Sequence, residues 1–138
     1  MGLGGVARRL LLPARERARA GWRFDVRAIE EAIDLLEIRR PVQVKLTGGR
    51  YQVGGHYGRG DHHGVTVSTF LGLPQASETL WHELVHAAQC ERFENDARFR
   101  RAYRLEGKTG ERYRTNGFEV EARQIAEAFA WDFPLVRP

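Results

Sequence analysis

Residues 75–93 read Gln75-Ala76-Ser77-Glu78-Thr79-Leu80-Trp81-His82-Glu83-Leu84-Val85-His86-Ala87-Ala88-Gln89-Cys90-Glu91-Arg92-Phe93, a run with the pattern of a single long helix. The stretch follows Pro74 and has no internal Gly or Pro. Leu80, Leu84, Ala87 and Ala88 recur at helical spacing, with Trp81 and Val85 beside them. Ser77 reads as the N-cap, with Glu78 and Thr79 in the first turn. His82 and His86 stand one helical turn apart on one face, so both imidazoles can reach a single cation. Glu83 points beside that cation, where a carboxylate can take a proton from a bound water. The competing reading is a pair of hydrogen-bonded core histidines, since their face is mostly apolar. A glutamate between them favours the metal.

A hydrolytic zinc takes three protein ligands and keeps one position open. No histidine follows His86, so the third ligand is a downstream carboxylate or one of His56, His62 and His63. An extended motif with a third downstream histidine would need Gly and His where Gln89 and Arg92 stand. The best carboxylate lies in Asn116-Gly117-Phe118-Glu119-Val120-Glu121-Ala122-Arg123-Gln124-Ile125-Ala126-Glu127-Ala128-Phe129. Asn116 reads as an N-cap and Glu119 completes a capping box, which gives Glu119 a structural task. The apolar stripe is Phe118, Ala122, Ile125 and Phe129, with Ala128 alongside, and Glu121 falls inside it. An inward carboxylate is costly unless it is paired or bound to metal. Glu121 is therefore the expected third ligand, with an arginine ion pair as its other role.

These residues resemble those of the zincin metallopeptidases, specifically the glutamate-liganded gluzincins, whose second helix presents a Glu-Ala pair that Glu121-Ala122 matches. The small ImmA/IrrE-like and phage-encoded zincins look closest. The resemblance runs from about Val65 to Ala130 and rests on the His-Glu-x-x-His run and the Glu-Ala pair. It implies an α+β fold of minimal zincin type, with a small sheet of three or more strands packed on the site helix and a second ligand-bearing helix. It also implies a zinc peptidase: Zn2+ on His82, His86 and Glu121, with Glu83 as general base. Residues 65–70 would run along the cleft edge, where a peptide can add as a strand. Donors for the developing oxyanion are Tyr113, Arg114, His63 and His62, with Tyr113 preferred because it precedes the ligand helix. A packed surface tyrosine is its alternative.

The 138 residues fit one domain, and their net charge is +4. Arginine is densest at Arg8, Arg9, Arg15, Arg17, Arg19, Arg23 and Arg27, and again at Arg98, Arg100, Arg101 and Arg104. Residues 1–21 read as a basic N-terminal arm and residues 22–138 as the zincin-like domain. Such runs are commonly solvated faces, but they also suit phosphates. The alternative function is a catalytically weak or inactive zincin-fold module that engages nucleic acid or a protein through this basic surface. The single cysteine, Cys90, excludes an internal disulfide and fits a reducing compartment; its expected role is core packing. Leu10-Leu11-Leu12 is too short for a signal-peptide core, and no apolar run approaches a membrane span, so a cytoplasmic location is expected.

Asp25 caps a helix predicted to run to about Arg39, with Phe24 and Ile29 as a hydrophobic staple. Val42-Gln43-Val44-Lys45-Leu46 and Tyr51-Gln52-Val53 read as strands around a Gly48-Gly49 turn. Residues 54–64 read as a glycine-rich loop exposing His56, His62 and His63. Residues 64–70 form a further strand, and a third helix covers about residues 96–105.

Overall fold

The computed structural model describes residues 10–11, 17–48, 52–109 and 114–138. Asp25 is the N-cap of α1 (Val26–Leu35) and accepts from the Ala28 amide at 3.1 Å, which starts the helix where the sequence predicts. The helix stops earlier than expected. Glu37 has φ 57°, and the Ile38 and Glu37 amides donate back to the Ile33 and Asp34 carbonyls at 3.1 and 3.0 Å. This Schellman arrangement turns the chain so that Ile38 is fully buried, and burial of that side chain decides the helix end.

Two strands that read as alternating in the sequence, β3 (Val42–Thr47) and β5 (His63–Ser68), lie parallel with Val44 opposite Val65. A short β1 (Leu10–Leu11) joins β3 in parallel, and β4 (Gly54–Gly58) joins β5 antiparallel, giving the order β1-β3-β5-β4. A separate ribbon pairs β2 (Arg23–Phe24) with β6 (Val136–Arg137). Val42, Val44, Val65 and Val67 are fully buried. Helix α2 (Leu73–Cys90) packs on β4 and β5, and α4 (Gly117–Phe129) packs on the other side of α2; α3 (Asp96–Thr109) connects them. The fold is α+β, with the site helix on a small sheet and a second helix against it.

Three expectations are corrected. First, most of the glycine-rich stretch is strand: β4 runs Gly54–Gly58 and β5 starts at His63, leaving residues 59–62 as the connecting loop, and Gln52 and Val53 precede β4 rather than forming a strand. Gly54 and Gly58 are there because other groups come close. A Cβ at Gly54 would lie 2.6 Å from Thr79 Cγ2 and 2.9 Å from Glu83 Oε2, and one at Gly58 would lie 2.5 Å from the Asp96 carboxylate. Second, residues 65–70 do not line an edge. β5 sits between β3 and β4, so β4 is the outer strand beside the site helix. Third, Ser77 is no cap. Helix α2 starts after Gly72 with Pro74 in its first turn, where a missing N–H is harmless, and buried Ser77 Oγ instead accepts from the Leu135 amide at 3.0 Å.

The basic arm is partly built into the body. Leu10 and Leu11 pair with Val42 and Gln43, Ala18 is buried, and the Ala20 amide donates to the Thr69 carbonyl at 3.2 Å. Arg8, Arg9, Arg15, Gly49, Tyr51 and Tyr113 lie outside the described residues. Among the described residues, no helix is long and apolar enough to cross a membrane.

Candidate metal centre

Helix α2 presents the His82 and His86 rings 4.8 Å apart, with their planes at 80° and their Nε2 atoms 3.2 Å from each other. The third member comes from the first turn of α4, and it is Glu119. Its Oε1 lies 2.7 Å from His82 Nε2 and 2.9 Å from His86 Nε2. Ligand atoms around a tetrahedral cation with bonds of about 2.0–2.1 Å lie about 3.3 Å apart. The observed triangle is close to that, so His82, His86 and Glu119 could hold a divalent ion.

Glu121, the expected ligand, is turned away. It accepts from Gln89 Nε2 at 2.9 Å and pairs with Arg92 at 3.0 Å, the arginine contact foreseen as its other role. The reason is the phase of α4. Its inward line is Glu119, Ala122, Ala126 and then Ala130, while Phe129 is exposed. The small residues fill the buried line against α2 and let the helices approach, while Phe129 stacks on Trp81 at the end of the contact with its other face exposed. Asn116 does cap α4, accepting from the Phe118 amide at 2.9 Å. The Glu119 side chain, however, reaches across to α2 instead of closing a capping box.

Two residues not singled out by the motif hold this set in place. His86 Nδ1–H donates to Gln89 Oε1 at 2.8 Å, which orients the ring with Nε2 toward the centre. Gln89 Nε2 is itself used by the Phe118 carbonyl and Glu121, both at 2.9 Å. Tyr103 OH donates to Glu119 Oε2, and the Tyr103 carbonyl accepts from Asn116 Nδ2 at 3.0 Å. Gln89 was legible as the residue three after His86 on the same helical face. Tyr103 carries no comparable signal, because α3 is placed against the site only by tertiary packing. Of the expected oxyanion donors, Arg114 is exposed and its carbonyl accepts from Arg123. His62 pairs with Asp61 at 2.8 Å.

Burial opposes the charge on Glu119, but hydrogen bonds from His82, His86 and Tyr103 outweigh it and hold the carboxyl well below the usual range. Burial likewise disfavours protonated His86, yet Glu119 pushes its affinity for a proton up. Glu83, buried with few charges to help it, is raised above an ordinary glutamate despite the pull of His86 and His82. No donor among the described residues reaches its carboxylate. Glu83, His82 and His86 together face a cleft of about 670 Å³ between β4 and α3.

Beside the centre lies a second histidine cluster, and here the expectation of exposed loop histidines is overturned for His56 and His63, which sit in β4 and β5, while His62 does lie in the loop between them. His63 is fully buried. Its Nε2–H donates to Glu91 Oε2 at 2.7 Å, so Nδ1 can accept from His56 Nε2–H at 3.0 Å. His56, His63 and Cys90 bring three ligand-type atoms within 4.8 Å of one another. A guanidinium occupies the approach to them, however, with Arg40 Nη2 3.4 Å from His63 Nδ1 and 3.3 Å from Cys90 Sγ. Burial and the Asp96 carboxylate, which accepts from Cys90 Sγ at 3.1 Å, also push the thiol up to about 12. A neutral thiol beside a fixed cation is a poor metal ligand. This cluster reads as a buried polar network that joins Arg40, Asp96 and Glu91 to β4 and β5.

Burial, then the neighbouring His63 and His86, lowers His56 from 6.5 to about 3. Above pH 6.5 the ring is neutral in both folded and unfolded chains, and pH has no leverage through it. As pH falls from there toward 3, only the unfolded chain takes the proton, so folding is penalised by up to about 1.4 kcal/mol per pH unit. The expected result is that metal-free His56→Gln loses less stability between pH 6.5 and 5 than the parent in denaturant titrations. Parallel losses in the two proteins would show that His56 is protonated in the fold.

Comparison of the chain with family models, with curated proteins and with solved structures finds no match.

Proposed function

We propose that this chain is a zinc-dependent peptidase of the glutamate-liganded zincin type, with His82, His86 and Glu119 as ligands and Glu83 as general base. One observation carries the reading: two histidines and a carboxylate from separate helices converge to within 3.2 Å, beside a buried glutamate that faces an open cleft. A structural zinc is ordinarily closed by four protein ligands, often cysteines, and has no use for a neighbouring base. The nitrogen and oxygen donor set suits Zn2+.

A divalent cation held there supplies Lewis acidity toward a carbonyl oxygen and lowers the pKa of a water. Glu83 takes a proton from the attacking water and delivers it to the departing amine, exchanging the roles of base and acid. Strand β4 offers its outer backbone groups to an extended peptide, and Gly54 lets that strand lie against Glu83. Gln89 and Tyr103 act through His86 and Glu119, fixing their orientation.

The test is hydrolysis of unstructured peptides by the zinc-loaded chain, with products identified by mass spectrometry. Cleavage is expected to stop on chelation and to return when zinc is restored. A fully zinc-loaded, folded chain that cleaves none of a random peptide pool would refute the peptidase reading.

A further inference from the structure

We infer that the cleft selects peptides with acidic side chains, read by Arg100 and Arg104; this rests on the peptidase reading for the chemistry but not for the binding. Helix α3 forms the wall opposite β4. Phe99 and Tyr103 turn inward on it, and Arg100 and Arg104, one turn apart, line the cleft beside them. Both arginines are exposed. Arg40 pairs with Asp96 at 2.9 Å, Arg92 with Glu121 at 3.0 Å and Arg98 with Glu94 at 3.4 Å, while exposed Arg101 does not line the cleft. Among the described residues no carboxylate pairs with Arg100 or Arg104. The other carboxylates along the cleft are engaged or face inward. Glu119 is bound by both histidines, Asp96 by Arg40, and Glu83 is buried against β4. The α3 wall therefore presents to the cleft two guanidinium groups that no carboxylate among the described residues pairs with.

The opposite wall favours a peptide as the occupant. A strand edge pairs with extended backbone, and a peptide added to β4 would present every second side chain to the same side. Positions four apart on a helix are separated by about 6 Å along its axis, close to the about 6.7 Å between alternate strand residues. An acid-x-acid sequence can thus reach both arginines, and the forked guanidinium suits a carboxylate bidentately. Phosphates would also satisfy the charge, but a nucleic acid makes no use of a backbone edge.

The experiment measures fluorescence anisotropy of labelled peptides on zinc-loaded Glu83→Gln protein, with central Glu-Ala-Glu, Ala-Ala-Ala or Lys-Ala-Lys. The acidic peptide is expected to bind about five- to tenfold tighter than the neutral one, in line with two partly exposed charge pairs. Adding Arg100→Glu and Arg104→Glu should reverse the order in favour of the lysine peptide, with zinc content and thermal midpoint unchanged. Equal binding of the three peptides, or binding of none, overturns the inference. So does tighter binding of a single-stranded oligonucleotide that the double exchange abolishes, which would assign the arginines to phosphate. Hydrolysis by the parent without charge preference sinks the inference and leaves the peptidase reading standing. Charge-selective binding without any hydrolysis does the opposite.

Discussion

Replacing Glu119 by alanine should strip the protein of tightly held zinc, while the same change at Glu121 should leave most of the affinity. Glu119 Oε1 lies within hydrogen-bond distance of both histidine Nε2 atoms, so its loss removes one of three ligands and leaves two imidazoles with an enlarged, wetter gap. Loss of a partner outside the ligand set typically costs 10–100-fold in metal affinity, and loss of a ligand should exceed that. Glu121 acts two bonds further out, through Gln89 to His86 Nδ1, and a half-exposed pair with Arg92 contributes little by itself. Its removal should cost no more than about tenfold. Competition titrations against a chromophoric chelator measure both. If the Glu121 variant loses zinc and the Glu119 variant keeps it, the ligand assignment is reversed and α4 must be rotated in solution.

Glu83→Gln should bind zinc as the parent does and hydrolyse peptides at least about a hundredfold more slowly, because general acid–base transfer contributes roughly 10²–10⁴ to rate. The exchange keeps the side chain's size where β4 lies against it, at the 2.9 Å approach a Gly54 Cβ would make. It also removes a buried carboxyl with no donor among the described residues, so the fold should not suffer. Zinc content and circular dichroism establish the first half of the expectation, and single-turnover hydrolysis the second. Undiminished hydrolysis would take Glu83 out of the mechanism and require another base on the cleft floor.

Local chemistry made several parts of this protein legible in advance. The Asp25 and Asn116 caps depend on a side chain and an amide two or three residues away, and both are found where the sequence puts them. The pairing of His82 with His86 follows from helical geometry alone, and the β3 and β5 segments were legible as strands, although central β5 is buried on nearly every residue rather than alternating.

What failed was whatever depended on which neighbour came close. Ala122 belongs both to the aromatic line of α4 and to its alanine line, so periodicity leaves the helix rotation open. Glu119 and Glu121 differ by about 200° around it. Packing against α2 chooses the small residues and with them Glu119. Glycines at Gly54 and Gly58 look like loop chemistry until Thr79, Glu83 and Asp96 are seen against them. His56 and His63 look exposed until Glu91 and Arg40 arrive from other parts of the chain. The sequence by itself determined the helix bearing His82, Glu83 and His86, because a turn of helix is a short-range object. Only the tertiary structure decided the third carboxylate, the outer strand and the arginine wall, because each depends on surfaces that meet across long separations in the chain.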